Sequence, residues 1–178
     1  AVAVAIALAA VPAMAQSPYS KTVFFGDSLT DTGYFRPVLM QLDPNASLVG
    51  RFTTNPGWVW ADYIADQYGT NASPNGNGQT GDNYAVGGAR VGVDEVGVLG
   101  PTPSMKSQMT TYLAANGGKA DANALYTVWG GANDLFAVQA APAQAQAIIG
   151  AAVADQIGIV GTLKSAGAQY VMVPTLPD

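Results

Sequence analysis

Apolar and polar positions follow two alternating periods along this chain of 178 residues. Thr22 to Phe25 is a short apolar run of strand composition that breaks directly into Gly26-Asp27-Ser28. Asn83-Tyr84-Ala85-Val86 is a second strand candidate closing on Gly87-Gly88. Ala124 to Trp129 is a third, bounded by Gly130-Gly131, and Gln169 to Val173 is a fourth. Helical spacing fills the intervals. Asn55 as N-cap and Pro56 at the first helical position open a helix over 57–68, carrying Val59, Trp60, Tyr63, Ile64 and Tyr68 and stopped by Gly69. Met105, Met109, Tyr112 and Leu113 fall on one helical face, which Gly117-Gly118 ends; this methionine stripe reads as core packing. Pro142 starts the longest helix, with Ile148, Ile149, Ala152, Val153, Ile157, Val160 and Leu163 in period and Gly167 as its cap. Residues 31–52 read as irregular with a short helix at 36–42. Residues 70–81 and 90–103 read as loops, with Asp94 and Glu95 solvated.

Strands alternating with helices, each strand apolar enough to be covered on both faces, predict an α/β fold with a parallel, doubly wound sheet. Parallel strands deliver their C-terminal turns to one edge, so Gly26-Asp27-Ser28, Gly87-Gly88 and Gly131-Ala132-Asn133-Asp134 are expected to converge.

Composition narrows the function. With 49% hydrophobic residues, 11% charged residues, a net charge of −5 and a pI near 4.3, the chain is one globular domain too acidic to favour nucleic acid as a partner. It has no cysteine, which excludes disulfides, a thiolate nucleophile and cysteine-based metal sites. It also has no histidine, the usual general base. The Gly/Asn loop 70–81 lacks a carboxylate before Asp82 and reads as a solvent loop rather than a calcium site. Residues 1–15 are uncharged and end in Ala13-Met14-Ala15, the pattern of a signal-peptidase site; we read them as the tail of an export signal, with the sequence beginning inside it. Asp155, Gln156 and Lys164 count against a membrane span in the longest helix.

Ser28 lies just past a strand end, at the sheet edge where open α/β sheets bind ligands, although a turn serine capping the next helix has the same local composition. Acyl transfer needs a nucleophile and donors for the oxygen that becomes negative. The Ser28 hydroxyl, the N–H groups of Ser28 and Gly88 and the amide of Asn133 would supply them. Gly88 is equally explained by a positive φ, and Asn133-Asp134 by a helix N-cap. Asp27 and Asp31 read as acceptors of backbone N–H bonds, Arg90 as one arm of a surface ion pair. Trp58, Trp60, Tyr34 and Phe35 suit an acyl groove or the core equally.

Gly26-Asp27-Ser28-Leu29 with Asp31 and Gly33, Asn83-Tyr-Ala-Val-Gly-Gly-Ala89, and Gly131-Ala-Asn-Asp134 together resemble three of the four signature blocks of the GDSL, or SGNH, esterase/lipase family. The resemblance covers most of residues 21–178. It implies a three-layer flavodoxin-like SGNH hydrolase fold over 16–178, with Ser28 as nucleophile and Ser28, Gly88 and Asn133 as oxyanion-hole donors. It further implies a small ester or lipid substrate and no metal or organic cofactor. A narrower likeness, to bacterial secreted and autotransporter esterases, implies an outer-membrane β-barrel in the full-length protein. The fourth block, Asp-x-x-His near the C-terminus, has no counterpart here. We therefore expect the C-terminal part of the fold to be missing, a sheet edge and a helix face to be uncovered, and the chain alone to be near-inactive. A non-catalytic binding module on the same fold is the alternative. A phosphate or nucleotide binder is disfavoured, because the three turns hold no Lys or Arg and no P-loop spacing.

Overall fold

The computed structural model describes residues 17–48, 51 and 57–177. The stretch 1–15 read as an export signal and the Asn55-Pro56 helix start lie outside them.

The first strand, β1 (Thr22–Gly26), is buried along its whole length. It is followed by α1 (Arg36–Leu42), a short 3₁₀ turn at Pro44–Leu48 and α2 (Trp60–Gln67). Two small hairpins come next, β2 (Asn75–Gly76) with β3 (Gln79–Thr80), and β4 (Glu95–Gly97) with β5 (Gly100–Thr102). Then follow α3 (Met105–Ala115), β6 (Leu125–Trp129), α4 (Ala132–Ala140), α5 (Ala145–Ser165) and β7 (Tyr170–Met172). β1, β6 and β7 form a parallel sheet in the order β1-β6-β7, with Gly26 opposite Trp129.

Alternation along β1 divides the core into two layers. Val23 and Phe25 point to one face, where they meet Met105, Met109 and Tyr112 of α3 and Ile159 and Leu163 of α5. Phe24 points to the other and packs with Val59, Ala61 and Ala65 around α2. Helices on both faces of a parallel sheet make the three-layer α/β architecture that the strand–helix alternation predicts.

Several expectations need correction. Residues 83–86 run parallel to β1 through bonds from Tyr84 N to Phe24 O (2.9 Å) and Val86 N to Gly26 O (3.1 Å), yet they form only isolated bridges, from Asn83 to Phe24 and to Pro74, and no regular strand. The ladder lacks the bond from Gly26 N to Tyr84 O, because the Gly26 N–H goes to the buried Gln108 Oε1 at 3.0 Å; beside it Asn83 donates its amide to Thr30 O and accepts the N–H of Ala85 through Oδ1. The helix expected over 57–68 begins at Trp60, with Asp62 Oδ2 accepting the N–H of Val59. The loops 70–81 and 90–103 each contain a hairpin, and Asp94 is exposed but bonded to Ser104 N and Ser107 Oγ rather than merely solvated. α4 bears out the alternative that a helix starts near Asn133-Asp134, and Pro142 opens a 3₁₀ turn ahead of α5.

The inward face of α5 also differs from the expected one. Ile159 and Leu163 are buried, while Ile149, Val153 and Ile157 are exposed. This helix is apolar almost all round, so periodicity cannot select a face. By length and composition α5 with its preceding turn is apolar enough to cross a membrane; in the fold it packs on α3, with Lys106 paired to Asp155 at 2.8 Å.

Candidate active site

Three turns leave the C-terminal edge of the sheet side by side, because β1, the 83–86 segment and β6 are parallel neighbours. The first turn is tight for a steric reason. A β-carbon at Gly26 would lie 2.7 Å from Trp129 O and from Thr30 Oγ1, so only glycine can pass between β6 and Thr30. Both backbone groups of Gly26 are also held by the buried Gln108 side chain, through Gly26 N to Oε1 and Nε2 to Gly26 O, each 3.0 Å. Ser28 follows, half-buried, with Leu29 beside it exposed.

Two buried aspartates organise this turn. Asp27 Oδ1 accepts the N–H of Leu29 at 3.0 Å. Asp31 Oδ1 accepts those of Gly33 and Tyr34, both at 2.7 Å, and its Oδ2 reaches across to the N–H of Gly87 at 2.8 Å. Loss of solvation raises the pKa of both carboxyls above the ordinary value, against the opposing pull of those N–H groups. The Asp31–Gly87 bond ties the first turn to the second.

The second turn is tied to the third. Asn133 Nδ2 donates to Ala89 O at 2.9 Å, and the buried Asp134 carboxylate accepts Arg90 Nε and Val91 N, both at 3.0 Å. An amide carries two N–H groups, so the bond to Ala89 leaves one for another acceptor. Asn133 sits in the first turn of α4, whose N-cap position is Gly131 at φ +117°, so it is not the N-cap residue. The Arg90–Asp134 pair is no surface ion pair, as its side chains are 16% and 4% exposed. Gly88 is exposed with φ +85°, and a β-carbon there would come no nearer than 3.8 Å to Thr102; its conformation, rather than crowding, asks for glycine.

The structure thus brings the turns bearing Ser28, Gly88 and Asn133 to one rim. Gln108, which pins the first turn, was not singled out in the sequence. A polar residue on the same face as Met105, Met109 and Tyr112 was the available signal. Trp60 joins the core, with its Nε1 donating to Thr30 Oγ1 and its ring 5.3 Å from that of Trp129. Phe35 instead lines a cleft beside Gly88. Among the described residues there is no grouping of three His, Cys, Asp or Glu that could hold a metal ion. Chemically, the rim offers a hydroxyl, several N–H donors and carboxylates already committed to backbone bonds.

A family model described as GDSL-like lipase/acylhydrolase matches residues 22–178. Among known proteins, the chain is 34% identical over 165 residues to Lipase 1 of Photorhabdus luminescens, an alignment covering 90% of the chain and 22% of that protein. It is 30% identical over 168 residues to the thermolabile hemolysin of Vibrio parahaemolyticus, covering 93% of the chain and 36% of the relative. It is 30% identical over 163 residues to esterase EstA of Pseudomonas aeruginosa, covering 72% and 24% respectively. The chain therefore spans little more than a third, at most, of the length of these relatives.

Proposed function

We propose that this chain, which belongs to the GDSL-like lipase/acylhydrolase family, carries the nucleophile and oxyanion-binding part of a carboxylic-ester hydrolase. The observation that supports the reading is the pair of bonds linking the three turns that bear Ser28, Gly88 and Asn133, Gly87 N to Asp31 and Asn133 to Ala89 O. In this reading Ser28 Oγ attacks the ester carbonyl carbon and passes its proton to a base. The carbonyl oxygen, now negative, takes hydrogen bonds from the N–H groups of Ser28 and Gly88 and from Asn133 Nδ2. Collapse expels the alcohol, which recovers a proton, and leaves an acyl-serine that water hydrolyses. No metal or organic cofactor takes part.

The sequence holds no histidine to act as that base. We assign the base, and the acid that orients it, to a part of the protein outside these 178 residues. A serine hydroxyl without a base is a weak nucleophile; in a well-studied serine protease its loss lowers turnover about 2 × 10⁶-fold. Residues 1–178 alone are accordingly near-inactive. The apolar stretch 1–15, ending in Ala13-Met14-Ala15, supports export, and the relatives are bacterial. The shares of 22% and 24% that the chain covers in Lipase 1 and EstA leave room in the whole protein for an outer-membrane β-barrel.

The test is hydrolysis of p-nitrophenyl butyrate by the full-length gene product and by its Ser28→Ala variant. The reading expects turnover that Ser28→Ala reduces by about 10⁶-fold. Equal rates in the two proteins overturn it, and an inactive full-length protein without Asp-x-x-His favours a binding module on the same fold.

A further inference from the structure

A second feature of the rim is apolar. The β4–β5 hairpin carries Val96, 82% exposed, and Val98, fully exposed, on the side of the second turn, with Val93 also exposed at its base. Scattered exposed valines need no explanation; these border one cleft of about 370 Å³ lined by Phe35, Gly87, Gly88, Val96, Val98 and Leu99. That volume is within the range of small-molecule sites. The base of the hairpin is fixed while its tip faces water. Asp94 accepts Ser104 N at 2.8 Å and Ser107 Oγ at 2.9 Å, and Glu95 lies 3.5 Å from Arg90 Nη1. At Gly88 the cleft wall is backbone, and the Thr102 methyl is the nearest side-chain atom, 3.8 Å from where a β-carbon would stand.

We propose that this cleft binds the apolar chain of the ester, with Phe35, Val96, Val98 and Leu99 setting chain-length preference. The proposal rests on the ester-hydrolase reading for the identity of the ligand. A carbonyl oxygen held by the Gly88 N–H puts the acyl and alcohol arms of the ester within one or two bonds of the cleft's inner wall, and an extended hydrocarbon arm then lies along the hairpin. Withdrawing that arm from water supplies the affinity, and Glu95 at the rim favours an uncharged chain over a free carboxylate.

The experiment measures binding rather than turnover. The full chain carrying Ser28→Ala, which cannot form an acyl-serine, is titrated with ethyl butyrate and ethyl octanoate to vary the acyl arm. Butyl acetate and octyl acetate vary the alcohol arm, and backbone amide shifts of residues 88 and 95–102 report occupancy. Each methylene fully withdrawn from water strengthens binding about fourfold, from about 0.8 kcal/mol per CH₂. Four additional methylenes in an open cleft should therefore gain at least about tenfold in the series whose arm occupies it, and that series identifies the arm. Val96→Ser with Val98→Ser, at exposed positions outside the core, should flatten the gain to less than about threefold. A gain in neither series, or one that survives the double substitution, overturns the proposal. Ser28-dependent hydrolysis is measured separately, in the full-length gene product. A chain-length gain without hydrolysis sinks the catalytic reading and leaves the cleft, whereas hydrolysis without the gain does the reverse.

Discussion

Replacing Asp31 by Asn tests the strut between the first two turns. The wild-type carboxylate receives three backbone N–H bonds, from Gly33 and Tyr34 at 2.7 Å on one oxygen and from Gly87 at 2.8 Å on the other. Asn keeps the shape and the first oxygen but turns the second position into an NH₂ group, which faces the Gly87 N–H donor to donor. A hydrogen bond to a charged group contributes about 1.5–3 kcal/mol. Against that loss stands relief of a buried charge, since desolvation raises the Asp31 pKa. The balance is a destabilisation of about 1–2 kcal/mol for Asp31→Asn, and about 3 kcal/mol for Asp31→Ala, which abandons all three donors. Urea denaturation followed by tryptophan fluorescence at pH 7 measures both. Hydrogen exchange at Gly87 should accelerate with the Asn variant, because its tether is the bond removed. The pH dependence has a definite sign. A folded pKa above the ordinary 3.8 means that protonation stabilises the folded wild type, so its advantage over Asp31→Asn grows as pH falls through the raised pKa and levels off below about 3.8. Groups common to both proteins cancel in that difference. An Asn variant as stable as wild type at pH 7, with Gly87 exchange unchanged, would refute the claim that this carboxylate joins the turns.

Two further outcomes follow from the same geometry. Gln108→Leu removes bonds to both Gly26 N and Gly26 O in a buried setting, and should cost about 2–3 kcal/mol in urea denaturation while raising exchange at Gly26. Bonding to Ser104 N lowers the pKa of Asp94, so its contribution is present above the ordinary 3.8 and lost as pH falls through the lowered value. The gap between wild type and Asp94→Ala, about 0.5 kcal/mol after solvent screening, should close over that acid interval in a series of thermal melts.

Much of the architecture is legible locally. The apolar runs that become β1, β6 and β7, the stripe Met105-Met109-Tyr112 and the glycines closing β1 and β6 depend on residues a few positions apart. The family signature blocks are legible for the same reason, since each spans a single turn. The two hairpins escape notice because their strands are short and their composition is that of loops. Asn83 has the composition of a strand start, yet its side chain meets Thr30 and Thr32, and those partners exist only after β1 and its turn have folded beside it.

By itself, then, the amino-acid order determined the main strands β1, β6 and β7 and the long helices, where the chain turns sharply, and that a serine, a glycine and an asparagine follow three apolar segments. Only the tertiary structure decided which face of α5 turns inward, that Arg90 is spent on Asp134, that Gln108 holds Gly26, and that exposed valines border the cleft at Gly88. The physical reason is distance along the chain. Element type follows from steric and apolar preferences within one or two turns of backbone, whereas Arg90 and Asp134 are 44 positions apart and Gly26 and Gln108 are 82 apart, and such pairs exist only where packing brings them together.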